Sequence, residues 1–195
     1  MIRYKTYLIF GAPGSGKGTQ GQTLGTLPGF YHCACGDVFR SLDTRTELGQ
    51  SFLYFSSRGE LVPDEITIEL WHERIAACVR ANQFKPEFDA LVLDGIPRNI
   101  RQAEIMQGII DVRKVFHLAC PDREALVRRL QQRALKDNRL DDANQETIRA
   151  RLNIFDELSR PLLEFYGKDL IQTIDATQSP VKVLGEIIKT ISGGD

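Results

Sequence analysis

The stretch Gly11-Ala12-Pro13-Gly14-Ser15-Gly16-Lys17-Gly18-Thr19 constrains this chain more than any other part of it. It follows the apolar run Tyr7-Leu8-Ile9-Phe10, which reads as a buried central strand, and it opens a helical segment that runs to about residue 27. Glycines permit the positive φ values with which a backbone closes on an anion. Successive N–H groups and the helix N-terminus then face phosphate oxygens, and Lys17 adds a point charge for the terminal phosphates. Strand, glycine loop, lysine and helix coincide, so Gly14, Ser15, Gly16, Lys17, Gly18 and Thr19 read as a phosphate cradle.

Such loops usually place Ser or Thr directly after the lysine, as a Mg²⁺ ligand. Here Gly18 stands in that place and Thr19 follows. Mg²⁺ is therefore expected to be held by nucleotide oxygens and water, and a GTPase-type switch is disfavoured. No Asn-Lys-x-Asp guanine motif is present either.

Further strands are expected at 30–33, 90–93, 115–118 and 170–174, with helical patterns between them. Ile66, Leu70, Ile75 and Val79 fit one helix, opened by Pro63-Asp64-Glu65. Ile148, Leu152, Phe155 and Leu158 fit another, which Pro161 should bend or break. Strands alternating with helices argue a parallel sheet covered on both faces. Two segments interrupt the alternation. Residues 37–62 are polar and helical, and residues 136–144 are too charged to be core and read as a mobile surface loop.

The 195 residues suit one domain, and a net charge of −1 gives no global attraction for nucleic acid or an anionic membrane. The four cysteines, Cys33, Cys35, Cys78 and Cys120, form no CxxC pair and read as free thiols of a reducing cytoplasm. The N-terminal apolar run is too short for a membrane span or a signal peptide. His32, His72 and His117 read as packing residues and Trp71 as a helix anchor.

Five segments, in order, resemble the adenylate kinases of the nucleoside monophosphate kinase family. They are Gly11 to Gln20, Cys35-Gly36-Asp37-Val38-Phe39-Arg40, Gly59-Glu60-Leu61-Val62-Pro63-Asp64-Glu65, Leu93-Asp94-Gly95-Ile96-Pro97-Arg98 with Gln102-Ala103, and Arg133 through Arg139-Leu140-Asp141-Asp142 to Arg151. The resemblance covers nearly the whole chain. It implies an α/β P-loop fold with a five-stranded parallel sheet flanked by helices, a monophosphate-binding insertion at 35–63 and a short lid at 133–143, with core at 1–34, 64–132 and 144–195. The implied reaction is Mg²⁺-dependent transfer of the ATP terminal phosphoryl group to AMP, by a cytoplasmic monomer. The lid has no cysteine or histidine, so no structural zinc is expected.

The resemblance also implies roles. Arg40 and Arg98 hold the AMP phosphate; Lys17, Arg98, Arg133, Arg139 and Arg151 serve the transferring group; Arg129 and Gln178 flank the ATP adenine. Cys35, Glu60, Leu61, Val62, Gly95, Ile96, Pro97 and Gln102 complete the AMP side with Arg139 and Arg151. Arginine suits these tasks because its planar fork binds phosphate bidentately and stays charged. Asp94 ends a strand at the sheet mouth and reads as a Mg²⁺-water partner; Asp37 reads equally as such a partner or as a helix cap. Asp141 and Asp142 are either partners of lid arginines or solvated charges. Gln102 offers one donor and one acceptor to adenine. Asn99 speaks for the alternative, a UMP/CMP kinase, and Cys35 replaces the family's threonine. A non-catalytic nucleotide-binding regulator is a third reading.

Overall fold

The computed structural model describes residues 3–137, 142 and 144–193. Five strands form one parallel sheet in the order β2-β3-β1-β4-β5: β1 (Tyr4–Phe10), β2 (Phe30–Ala34), β3 (Ala90–Asp94), β4 (Ile110–Ala119) and β5 (Ile171–Asp175). The helices are α1 (Lys17–Leu24), α2 (Cys35–Arg40), α3 (Glu47–Ser57), α4 (Asp64–Arg80), α5 (Ile100–Met106), α6 (Arg123–Asp137), α7 (Gln145–Ile154), α8 (Leu162–Tyr166) and α9 (Pro180–Ser192). None of the described helices is long and apolar enough to cross a membrane.

Both sheet faces are apolar, as continuous hydrophobic strands require. Leu8, Leu91, Leu93 and Val115 face a core closed by Ile68, Trp71, Ile75 and Cys78 of α4 and Met106 of α5. Tyr7, Ile9, Val92, Phe116, Leu118 and Ile174 face the opposite core, closed by Leu24 of α1 and by Val183 and Ile187 of α9. A third cluster joins Leu126, Val127 and Leu130 of α6 to Ile148 and Leu152 of α7.

The helix expected after Pro63 is found as α4, with Trp71, Ile75 and Cys78 enclosed, Ile68 buried beside them, and Ile66, Leu70 and Val79 packed partly buried against the same core. Two expectations are corrected. β4 begins at Ile110, five residues before the expected start, because its first half alternates polar and apolar residues. Beyond α7, a π-helical turn at Phe155–Ser159 shifts the helix face by about one residue, leaving Leu158 44% exposed and turning Ser159 inward. The break near Pro161 is found, since α8 starts just after it.

Candidate active site

β1, β2 and β3 end level. Ile9 pairs with Asp94 and Ala34 pairs with the same residue, so the loops after all three strands open at one edge of the sheet. Carboxyl ends of parallel strands are where such folds bind ligands. A cleft of about 610 Å³ lies there, within the usual range for nucleotide-sized ligands. Every described residue of the expected site lines it: Gly14 to Thr19, Cys35, Asp37, Arg40, Glu60 to Val62, Asp94 to Arg98, Gln102, Arg129, Arg133, Arg151 and Gln178. Arg139 and Asp141 lie outside the described residues.

The loop after β1 is drawn tightly against its surroundings. A Cβ on Gly11 would stand 2.7 Å from both the Leu118 carbonyl oxygen and Ser15 Oγ. Ser15 Oγ is itself buried and finds no hydrogen-bond partner among the described residues, so the cradle contains an unmet polar group. Lys17 Nζ donates to the Gly11 and Ala12 carbonyls at 2.7 and 3.1 Å. Burial pushes its pKa down to about 8; Asp94 pulls the other way, and Arg98, Arg133 and Arg151 add to the depression. An ammonium so crowded by cations gains from a polyanion placed among them.

On the other side of the cleft, side chains do the holding. Arg98 donates from Nε to the Gly95 carbonyl at 2.8 Å, and its own carbonyl accepts Ser159 Oγ at 2.6 Å. The inward turn of Ser159 depends on the π-helical turn, which the sequence pattern did not reveal. The Ile96–Pro97 peptide is cis. Asp37 lies in the first turn of α2 and pairs with Arg40 at 2.5 Å; the helix is preceded by Ala34 without a side-chain cap, so Asp37 is no N-cap. Cys35 is buried, and burial pushes its thiol up to about 11.

Asp142 decides between the two readings of the lid acids for its own position. Its side chain is fully buried and clamps two arginines. Oδ2 accepts Arg133 Nε and Nη2 at 2.8 and 2.6 Å, and Oδ1 accepts Arg151 Nη1. One carboxylate thereby holds two guanidinium groups from α6 and α7 beside the cleft. Arg129, one turn before Arg133, donates to the Ala176 carbonyl at 3.1 Å, and Gln178 bonds Glu186 at 2.7 Å.

Asn99 has a structural task. Its Oδ1 caps α5 by accepting the Gln102 N–H at 2.8 Å, and its Nδ2 donates to both oxygens of Asp64. The sequence reading missed Asp64, Ser159 and Gln20, whose amide ties α1 to the Pro180 carbonyl at 3.0 Å. Asp64 and Gln20 lie inside segments that carry the resemblance, but the partners that give all three their tasks are distant in sequence, so local pattern does not show those tasks. Among the described residues, no cluster of three His, Cys, Asp or Glu side chains is placed to cage a metal. The donor chemistry at the cradle fits an ion that brings its own ligands: Asp94 lies beside Gly18, whose added Cβ would meet Asp94 Oδ2 at 3.5 Å.

Comparison with known proteins shows the family. The family model described as adenylate kinase matches residues 9–171. An adenylate kinase of Thermobifida fusca is 40% identical over 179 residues, covering 87% of this chain and 88% of the relative. Those of Porphyromonas gingivalis W83 and Cyanothece sp. PCC 7425 are 38% and 36% identical, over 83% and 92% of this chain and 81% and 91% of theirs. With the glycine cradle, the arginine wall and the parallel sheet in one arrangement, this chain belongs to the adenylate kinase family.

Proposed function

We propose that this phosphotransferase moves the terminal phosphoryl group of ATP to AMP, reversibly, giving two ADP. One observation carries the reading: a single cleft joins the glycine cradle to arginines from four separate segments, Arg40, Arg98, Arg133 and Arg151. Phosphoryl transfer asks the protein to align donor and acceptor, offset charge and exclude water. A non-catalytic binder has no need of both sets. Lys17 and the cradle N–H groups hold the ATP phosphates, with Arg129 and Gln178 towards the ATP base. Arg40 and Arg98 hold the AMP phosphate, and Cys35, Glu60 to Val62, Gly95 to Pro97 and Gln102 surround its sugar and base. Arg133 and Arg151 flank the transferring group, and the resemblance adds Arg139 there. Mg²⁺ bound to ATP supplies charge neutralisation, and Asp94 and Asp37 would meet it through water.

Residues 35–63 form the monophosphate-binding region of this reading and 133–143 its lid, over a core made of the remainder. The enzyme works as a cytoplasmic monomer, needs neither nucleic acid nor membrane, and carries no structural zinc. Asn99, the residue that spoke for a pyrimidine acceptor, is occupied by α5 and Asp64. A coupled ADP-formation assay with ATP and each monophosphate tests the reading. AMP should give the highest kcat/KM, and a better rate with UMP or CMP would overturn it.

A further inference from the structure

Gln102 is 1% exposed, and both ends of its amide are determined by partners that cannot change role. Its Oε1 accepts the Arg98 backbone N–H at 2.7 Å, and its Nε2 donates to Asp64 Oδ1 at 2.7 Å. A backbone N–H only donates and a carboxylate only accepts, so turning the amide over would set donor against donor and acceptor against acceptor. Asp64 is itself fixed. It starts α4, where a helix N-terminus favours negative charge, and Asn99 Nδ2 reaches its two oxygens at 2.9 and 3.1 Å. Gln102 lines the cleft, and Asp64 and Asn99, which bond to it and to each other, are not among the lining residues.

An amide has two N–H groups and two acceptor lone pairs. Arg98 and Asp64 each use one, which leaves one lone pair on Oε1 and one N–H on Nε2. That remaining pair matches a base edge with an amino donor beside an unprotonated ring nitrogen, as in a 6-aminopurine. A 6-ketopurine presents the reverse, a carbonyl beside an N–H, and meets both Gln102 groups with like polarity. A buried site left with unpaired polar groups discriminates strongly against the mismatched ligand.

We propose that Asp64 is a specificity-determining positioning residue: without touching substrate, it locks the Gln102 amide in the orientation that accepts a 6-aminopurine monophosphate and refuses a 6-keto one. This rests on the reading of Gln102 as the base contact. The test compares AMP with inosine monophosphate, nearly the same in size and opposite at that edge, in the full-length enzyme. Wild type should favour AMP by at least about 100-fold in kcat/KM. In Asp64→Asn, the new amide can present either an oxygen or an NH₂ to Gln102, so the lock is released on that side. The AMP-to-inosine monophosphate ratio should fall about tenfold, mostly through the KM for AMP, with kcat nearly kept. Asn99→Ser keeps a cap for α5 but frees Asp64, and should lower the ratio by a smaller factor, which also serves if Asp64→Asn does not fold. In a Gln102→Ala background, Asp64→Asn should leave the ratio where Gln102→Ala alone puts it. A wild type indifferent to the two purines would overturn the base contact itself. A selective wild type whose Asp64→Asn or Asn99→Ser variant, once folded, loses both activities by one common factor would overturn only the role of Asp64. A further fall of the ratio in the double variant would overturn that role as well.

Discussion

The cradle and the side-chain wall of the cleft are built by different means. At residues 11–19 the protein presents backbone, closed so tightly that Gly11 has no room for a Cβ. Around the rest of the cleft it presents side chains in a network: Gln102 on Asp64, Asp64 on Asn99, and Arg133 and Arg151 on Asp142. Backbone N–H groups read a phosphate and nothing about the base attached to it. Side-chain networks carry orientation, and orientation is what distinguishes one base or one reaction geometry from another. The cradle should therefore respond to charge, and the wall to the direction in which its groups point.

The largest effect expected of that contrast is at Lys17. Lys17→Ala should lower kcat by about 10³-fold while the thermal unfolding transition stays cooperative, since among the described residues Lys17 bonds loop carbonyls and belongs to no core cluster. A folded variant with near wild-type turnover would show that the cradle is not the triphosphate site.

At the wall, the matching change is Asp142→Asn, which leaves the size of the side chain alone. The single oxygen that remains cannot serve both guanidinium groups, so Arg133 and Arg151 lose their fixed spacing. We expect kcat to fall by about 10- to 100-fold from lost orientation, with a smaller change in the KM for AMP. Stability should drop by about 1–3 kcal/mol, because buried hydrogen-bonding capacity is left unmet. If turnover is unchanged, the arginines find their places on the phosphates alone, and the wall resembles the cradle more than the contrast allows.

Lys17 also makes the cradle sensitive to pH. Its ligand-free pKa is about 8, lowered by burial first, and phosphates arriving beside it should raise that value. Binding then takes up a proton where the free lysine is neutral. ATP affinity should be flat below pH 7 and weaken about tenfold by pH 9, and calorimetry at pH 8.5 in buffers of different ionisation enthalpy should register proton uptake. For folding without ligand the sign is opposite: the unfolded chain holds the Lys17 proton up to its ordinary value of 10.5, so this group's destabilising contribution is full below pH 8 and relieved as pH rises from 8 to 10.5. Lys17→Met should remove both dependences.

The same division explains what could be read from the sequence. The cradle was legible residue by residue, because strand, glycines, lysine and helix are contiguous and the physics is local. The strands Phe30–Ala34 and Ala90–Asp94 were legible from apolar runs. The wall was legible only as a set of arginines in family positions. Asp142 stood in the sequence as one of two readings, a partner of the lid arginines or a solvated charge, whereas Ser159, which fixes the Arg98 carbonyl, and Asp64, which fixes the Gln102 amide, come from other parts of the chain. No periodicity announces such pairs. Asn99 shows the cost of reading position without partners, since its neighbours make it a cap and an anchor for Asp64, whereas sequence pattern alone made it a hint of a pyrimidine substrate.

The smallest expected effect tests whether the monophosphate region and the helix that carries Arg151 act together. Residues 57–59 leave α3 and lie directly against α7: Thr147 Oγ1 donates to the Ser57 carbonyl at 3.1 Å. Gly59 has φ +73°, and a Cβ there would stand 2.8 Å from the Thr147 carbonyl oxygen and 3.0 Å from Arg151 Cγ. Backbone cannot yield as a flexible side chain can, so Gly59→Ala must push the segment away from α7 and also bear a left-handed conformation. The expected loss is about 1–3 kcal/mol, seen as a fall in Tm of several degrees in a chain of this length. Arg151 keeps its Asp142 partner throughout, so kcat should change by less than about threefold. If Tm is unchanged, the contact between the region and α7 does not persist in solution, and the two move independently. If Tm holds but kcat falls as far as in Asp142→Asn, the contact orients Arg151 as strongly as its carboxylate does, and the wall extends to Gly59.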